Sequence, residues 1–469
     1  MAGSRVADNL LADLAAVDNV IVTKGNHRGM AASSVLEPLC LLYNAGGDKK
    51  YLDAAKKIVA EWETPAGPQL ISKSSLNVAE RFPKPTPSNW FGPLQGQKSY
   101  EMMSCYEGLL ELYRITGEKQ YLDAVEKTWQ NIFDTEINIA GSGSAIECWF
   151  GGKAKQFNSI YKYQETCVTV TWIKLSQQLL RLTGEAKYAD AIEIAYYNAL
   201  LGAMSPDGKH WAQYTPLSGR RMEGEEHCSM GLNCCIASGP RGLFTLPSTI
   251  VMRSKSGAVI NFFADGSYET KSPAGKKLLL TQKTSYPQNG RIGLSIDPIK
   301  RERFEIKIRI PDWCTTTKIS INGNDTTINS KGYYSITREW SKGDKVELDF
   351  EMDVKLQSIN NNPEYIAFTR GPIVFARDER LGQPQLAAVL KPFFTKEDKL
   401  SSTIISEQPQ IDNAWITLSV KMTPESYPEG KEQPVDVKFI DYASAGNGTT
   451  PSYFVVWLAQ LVNVRVDAR

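Results

Sequence analysis

The chain has 469 residues, 42% of them hydrophobic, with 53 Lys and Arg against 52 Asp and Glu. That length predicts two or three domains, each with its own core, and the near-zero net charge argues against a dominant nucleic-acid or anionic-membrane footprint. No uncharged apolar run reaches the ~18 residues of a spanning helix, and Met1–Asp8 lacks the basic start and apolar run of a signal peptide, so a soluble chain without a membrane partner is expected.

The first half reads as helical and internally repetitive. GGDKKYLDAAKKIVAEW from Gly46, TGEKQYLDAVEKTWQNI from Thr116 and TGEAKYADAIEIAYYNAL from Thr183 keep Gly47/Gly117/Gly184, Tyr51/Tyr121/Tyr188 and Asp53/Asp123/Asp190 in register. An amphipathic helix is predicted before each glycine, over Ala31–Tyr43, Tyr100–Ile115 and Val168–Leu182, so the unit is helix, tight glycine turn, helix. Helix hairpins repeated at this period point to an α/α solenoid or toroid. Between them run polar loops longer than helix packing requires: Thr64–Lys98, Ala140–Lys162 and Ser205–Leu232. Such loops often carry function. The middle one holds Glu147, which sits in neither a helix nor a strand pattern.

After Arg241 the apolar period changes from 3.6 to 2, which places a boundary near Leu246–Val251. Phe304, Ile306, Ile308 and Ile310 alternate with charged residues, as do Val346, Leu348 and Phe350, and predicted strands over Lys318–Ile321 and Tyr333–Thr337 flank Asn322-Gly323, a pair suited to a turn with positive φ. An antiparallel β-sandwich is predicted over 247–352, following a helical domain over 1–246. A second, less regular β-domain is predicted over 353–469.

Eight cysteines at irregular spacing do not make a disulfide framework. Glu165 and Cys167, read with the vicinal pair Cys234-Cys235, supply one carboxylate and three thiols, a donor set that suits tetrahedral Zn²⁺ better than Mg²⁺ or Ca²⁺. The competing reading is that these cysteines are small core residues. His227-Cys228 is a rival metal set, and Cys40, Cys105, Cys148 and Cys314 read as structural thiols.

Glu165-Thr166-Cys167 followed by a helix, His210-Trp211, Cys234-Cys235-Ile236-Ala237-Ser238-Gly239-Pro240-Arg241, Ile310-Pro311-Asp312-Trp313-Cys314 and Thr369-Arg370-Gly371-Pro372 together resemble glycoside hydrolase family 127, the β-L-arabinofuranosidase-like enzymes. The resemblance implies a zinc ion held by Glu165, Cys167, Cys234 and Cys235, with Cys234 as nucleophile and Glu147 as general acid/base. It implies a retaining exo-glycosidase acting on a terminal L-arabinofuranosyl or related sugar of a plant cell-wall glycan, in pectin side chains or glycoproteins. His27, His210 and Tyr214 are candidates to hydrogen-bond the sugar, and Trp149 and Trp90 to stack on it. Tyr100-Glu101 stands where the family has another His, so the sugar contacts depart from the pattern. Residues 1–245 hold about seven helix candidates, whereas a closed six-hairpin toroid needs twelve, so an incomplete ring lacking the family's N-terminal hairpins is expected. The compartment is then cytoplasmic or, for an N-terminally shortened chain, periplasmic. Self-association into a homo-oligomer is compatible with this reading.

Two other functions fit the same architecture. A polysaccharide lyase would use Asn26-His27 and Tyr214 for β-elimination and would not need Cys234-Cys235. A glycan-binding protein would keep the zinc as a structural ion.

Overall fold

The computed structural model describes residues 2–461 apart from 17–20, 87, 90, 93, 223–232, 360–361, 397–398, 406–410 and 426–432. Trp90 and His227-Cys228 lie outside the described residues. The chain forms two compact units, residues 1–183 and 184–469.

The first unit is helical: α1 (Ala2–Ala16), α2 (Leu36–Gly46), α3 (Lys49–Trp62), α4 (Ser99–Thr116), α5 (Lys119–Thr135) and α6 (Thr166–Thr183) are its longer elements. The predicted helix over Ala31–Tyr43 is interrupted, with a single turn at Met30–Ser33 and α2 starting at Leu36. Pro38 has no N–H to donate, a loss that only the first turn of a helix tolerates. The repeat takes physical form at the glycines. Gly47 (φ 73°) and Gly117 (φ 72°) close α2 and α4 in the left-handed conformation, and each N–H bonds back to a tyrosine carbonyl, Tyr43 or Tyr113, at 2.8 Å.

The leading helices α2, α4 and α6 pack side by side in that order, and α3 and α5 each pack against the leading helix of their own hairpin. Two indoles tie second helices to neighbouring segments: Trp62 donates to Ser33 Oγ and Trp129 to Ser176 Oγ, each at 2.9 Å, and Trp129 stacks on Trp172 with centroids 4.9 Å apart. Between the leading helices Lys174 bonds Glu37 at 2.6 Å and Glu107 at 2.8 Å, and Gln178 donates to Glu37 at 2.9 Å, a polar set in the helix contact.

The second unit begins with the remaining repeat helix, α7 (Ala186–Ala195), which continues as a π-turn over Tyr196–Leu200. It adds α8 (Cys234–Thr245) and then strands from Val251 onward. A six-stranded sheet runs in the order Gly266–Lys271, Lys277–Thr284, Arg291–Pro298, Asp344–Phe350, Thr317–Ile321, Asn324–Ile328. A four-stranded sheet holds Gly332–Trp340, Glu302–Ile310, Gly257–Ile260 and Val251–Arg253, and a ten-stranded sheet gathers later strands with Ser218–Gly219. Phe304, Ile306, Ile308 and Ile310 point inward, as do Val346, Leu348 and Phe350, and all belong to one apolar cluster.

Two details differ from the sequence reading. Gly257–Ile260 pairs with Glu302–Ile310 in parallel, so the strand region is not purely antiparallel. Across Asn322-Gly323 (φ 50° and 85°) the strand Thr317–Ile321 pairs with Asn324–Ile328, whose mainly exposed polar side chains carry no alternation to read.

α7 is bound to the strands by a buried charge network. The Arg309 guanidinium lies 2.6 Å from Asp190 and 2.5 Å from Glu193, and Glu193 also accepts from Tyr286 OH at 2.6 Å and Trp313 Nε1 at 3.1 Å. Burial raises Asp190 to about 6 against the pull of Arg309. After the π-turn, Asn198 donates to Pro372 O at 2.8 Å and accepts from Val374 N–H at 2.9 Å. Trp313 and Pro372 belong to the two β-domain motifs picked out in the sequence, and each serves as a fastening point for the third repeat helix.

Candidate active site

Within the first unit the site is built on the loop from α5 to α6 and the entry to α4. Glu136, the residue after α5, is completely buried, and its carboxylate accepts the N–H groups of Phe150, Gly151 and Gly152 at 3.2, 2.8 and 3.0 Å. Burial pushes it up to about 7, with those three donors opposing the shift. The loop is knitted further by single backbone bonds: Trp149 N–H to Gln97 O, Ile146 N–H to Lys162 O and Gln164 N–H to Ser144 O, at 3.0, 3.0 and 3.1 Å. Ser144, Ile146, Glu147, Lys162 and Gln164 all have positive φ, a concentration of left-handed non-glycine residues that surrounding bonds must hold.

Glu147 (φ 60°) lies at the centre of this segment. Its carbonyl accepts from Ser99 N–H at 2.9 Å and Ser99 Oγ at 2.7 Å, at the first turn of α4. Its carboxylate Oε2 is ion-paired with the Nζ of Lys98, a residue only 1% exposed. Burial works against the Lys98 charge, and Glu101 and Glu147 outweigh it, so the ammonium is held above its usual range. His27 is also 1% exposed; its ring meets Phe91 edge-on at 5.0 Å, and Nε2 is 3.8 Å from Glu101. Burial, reinforced by the Lys98 charge, lowers His27 to about 4, so it is neutral at neutral pH. Trp149, expected beside a sugar, is completely buried. A ring with no exposed face cannot stack on a ligand, and its place is the core of the loop.

Glu165 immediately precedes α6 and Cys167 lies in its first turn. In the second unit Cys234 and Cys235 open α8, where the Asn233 side chain caps the helix by accepting Cys235 N–H at 3.0 Å. Each pair therefore sits at a helix N-terminus, where the aligned peptide dipoles favour carboxylate and thiolate. Gly239 lets α8 lie directly on Trp211, since a Cβ there would come 2.2 Å from the indole. This accounts for Trp211 and Gly239 of the cysteine motif as packing features. His210 is exposed; with Trp211, Asn233, Ile236 and Asn447 it lines a cavity of about 510 Å³ beside the start of α8. Tyr214 is buried.

Glu165, Cys167, Cys234 and Cys235 each offer one ligand atom, and these atoms lie within 4.8 Å of one another. A metal–sulfur bond near 2.3 Å implies a tetrahedral edge of about 3.8 Å, and the sulfurs of Cys234 and Cys235 are 4.0 Å apart. The set fits a thiophilic ion. Three members are buried and Cys234 is exposed. Lys98 and Glu136 were not singled out in the sequence; nothing in their local pattern separates them from ordinary solvated charges.

Comparison with known proteins agrees with this architecture. A family model described as the beta-L-arabinofuranosidase GH127 catalytic domain matches residues 15–248, and one for the GH127 middle domain matches 257–352. A non-reducing end beta-L-arabinofuranosidase of Bifidobacterium longum subsp. longum is 22% identical over 377 residues, spanning 73% of this chain and 56% of the relative. The chain thus spans little more than half the length of that relative. Among solved structures, a GH127 beta-L-arabinofuranosidase from Geobacillus stearothermophilus T6 superposes with a TM-score of 0.71 at 20% identity, covering 92% of this chain and 76% of that one. A GH127 beta-arabinofuranosidase superposes with a TM-score of 0.72 at 25% identity, over 91% and 68% of the two chains. The fold, helical hairpins leading into β-sheets, is thus shared with carbohydrate-active proteins. The chain belongs to glycoside hydrolase family 127.

Proposed function

We propose that this protein is a retaining exo-glycosidase that removes a terminal β-L-arabinofuranosyl or closely related residue from a plant cell-wall glycan, using Cys234 as nucleophile. The observation that carries the reading is the asymmetry of the Glu-Cys-Cys-Cys set. Only Cys234 is exposed, so only its sulfur can both belong to the set and meet a substrate. Zinc is the ion proposed for Glu165, Cys167, Cys234 and Cys235; when bound, it supplies the charge that keeps the thiols deprotonated at neutral pH.

Cys234 Sγ attacks the anomeric carbon as the bond to the leaving oxygen breaks, and Glu147 gives that oxygen its proton. Water then displaces the sulfur from the sugar, with Glu147 taking the proton of the attacking water. Two displacements return the original anomeric configuration. His27, His210 and Tyr214 are the proposed sugar contacts, and Trp149 supports the Glu147 loop. The helical region is proposed as an α/α toroid over 1–246, followed by β-sandwich domains over 247–352 and 353–469. The test is an activated aryl L-arabinofuranoside incubated with the protein. A glycosyl adduct on a peptide containing Cys234, found by mass spectrometry, supports the reading, and an adduct on Glu147 overturns it.

A further inference from the structure

We propose that Lys98 and Glu136 form a two-point clamp that positions Glu147 for proton transfer. This rests on the reading of Glu147 as the acid/base. The need for a clamp is visible in the backbone: Glu147 and its neighbour Ile146 are both left-handed (φ 60° and 48°), a conformation that costs free energy in non-glycine residues and persists only where other contacts impose it.

One point of the clamp acts on the side chain. The buried Lys98 ammonium bonds Oε2 of Glu147, which fixes the rotation of the carboxylate. Lys98 is itself rigidly placed. Its peptide pairs with Cys148, and the next residue, Ser99, grips the Glu147 carbonyl with both its N–H and its hydroxyl. The other point acts on the backbone. Glu136 gathers the N–H groups of three consecutive residues, Phe150, Gly151 and Gly152, only three positions beyond Glu147. Those three donors have no helix or strand to satisfy them, so the buried carboxylate sets the path of the chain that leaves Glu147. Neither Lys98 nor Glu136 is assigned a bond-making role; both act through Glu147.

The leaving group separates this role from general stability. A nitrophenyl leaving group scarcely needs an acid, whereas a sugar leaving group does. Lys98→Met should lower turnover of an arabinofuranosyl disaccharide roughly 10²-fold, the scale of a misplaced catalytic group, while the first-half burst on a nitrophenyl glycoside stays within a few-fold. Lys98→Arg should recover part of the loss. Glu136→Gln, which turns one acceptor into a donor facing N–H groups, should show the same split, with circular dichroism confirming the fold. Combined with Glu147→Gln, neither change should lower the disaccharide rate further. Equal losses on both substrates, or losses that add to that of Glu147→Gln, would overturn the clamp. Undiminished disaccharide turnover in Glu147→Gln alone would instead overturn the acid/base reading, so the two failures are distinguishable.

Discussion

Cys234 and Cys235 are neighbours in sequence, with sulfurs 4.0 Å apart, yet one is exposed and the other buried. A buried thiol can only hold a metal, whereas an exposed one can also attack. Cys234→Ser should therefore abolish covalent turnover, while Cys235→Ser should weaken metal retention and leave residual turnover at saturating metal; parallel kinetics and metal analysis of the two variants distinguish them. His27 and Glu136 make a second residue-scale forecast. His27 is lowered from 6.5 to about 4 by burial, so its contribution to stability is present above pH 6.5 and is lost as pH falls towards 4. Glu136 is raised from 4.5 to about 7, so its contribution is present below pH 4.5 and is lost as pH rises through 7. His27→Gln should flatten the acid side of a plot of Tm against pH, and Glu136→Gln the neutral-to-alkaline side. An unchanged slope on the relevant side would contradict the assignment.

At the scale of the element, the three hairpins put one sequence position to different uses. Asp53 and Asp123 are exposed on α3 and α5, whereas Asp190 on α7 lies 2.6 Å from the buried Arg309. Asp123→Ala should leave stability within about 0.5 kcal/mol of the parent. Asp190→Ala, which strips one of the partners from a buried guanidinium, should cost on the order of 2 kcal/mol, and Glu193→Ala about 3–5 kcal/mol, because it also orphans Tyr286 and Trp313. Denaturant titration of the three variants checks the ranking. Comparable losses for Asp123→Ala and Asp190→Ala would mean that the repeat, not the Arg309 network, sets the cost.

For the whole molecule the proposed zinc site sets the test. Purified protein should carry one equivalent of zinc, a chelator should remove both the metal and the glycosidase activity, and Cys167→Ser/Cys235→Ser should retain none. An ion that binds only the folded chain also raises its melting temperature, so chelation should lower Tm as well as activity. Elemental analysis and a thermal melt, each with and without chelator, test both statements.

The hairpin repeat, the change of apolar period after Arg241 and the Glu165-Cys167 and Cys234-Cys235 pairs were legible in the chain itself. Each is a local signal: a glycine that must turn left-handed, an apolar face with its own period, a donor set with its own chemistry. Other features were not legible because they depend on what arrives from elsewhere in the chain. Asp190 is distinguished from Asp53 and Asp123 only by the approach of Arg309, and Trp149 becomes core because Gln97, Lys98 and the Glu136 carboxylate close around its loop. Lys98, an ordinary lysine in sequence, gains its role because burial takes its ammonium out of water and leaves it beside Glu147. Local physics determined the elements and the ligand types; tertiary packing decided which of several identical residues would be charged, buried or exposed.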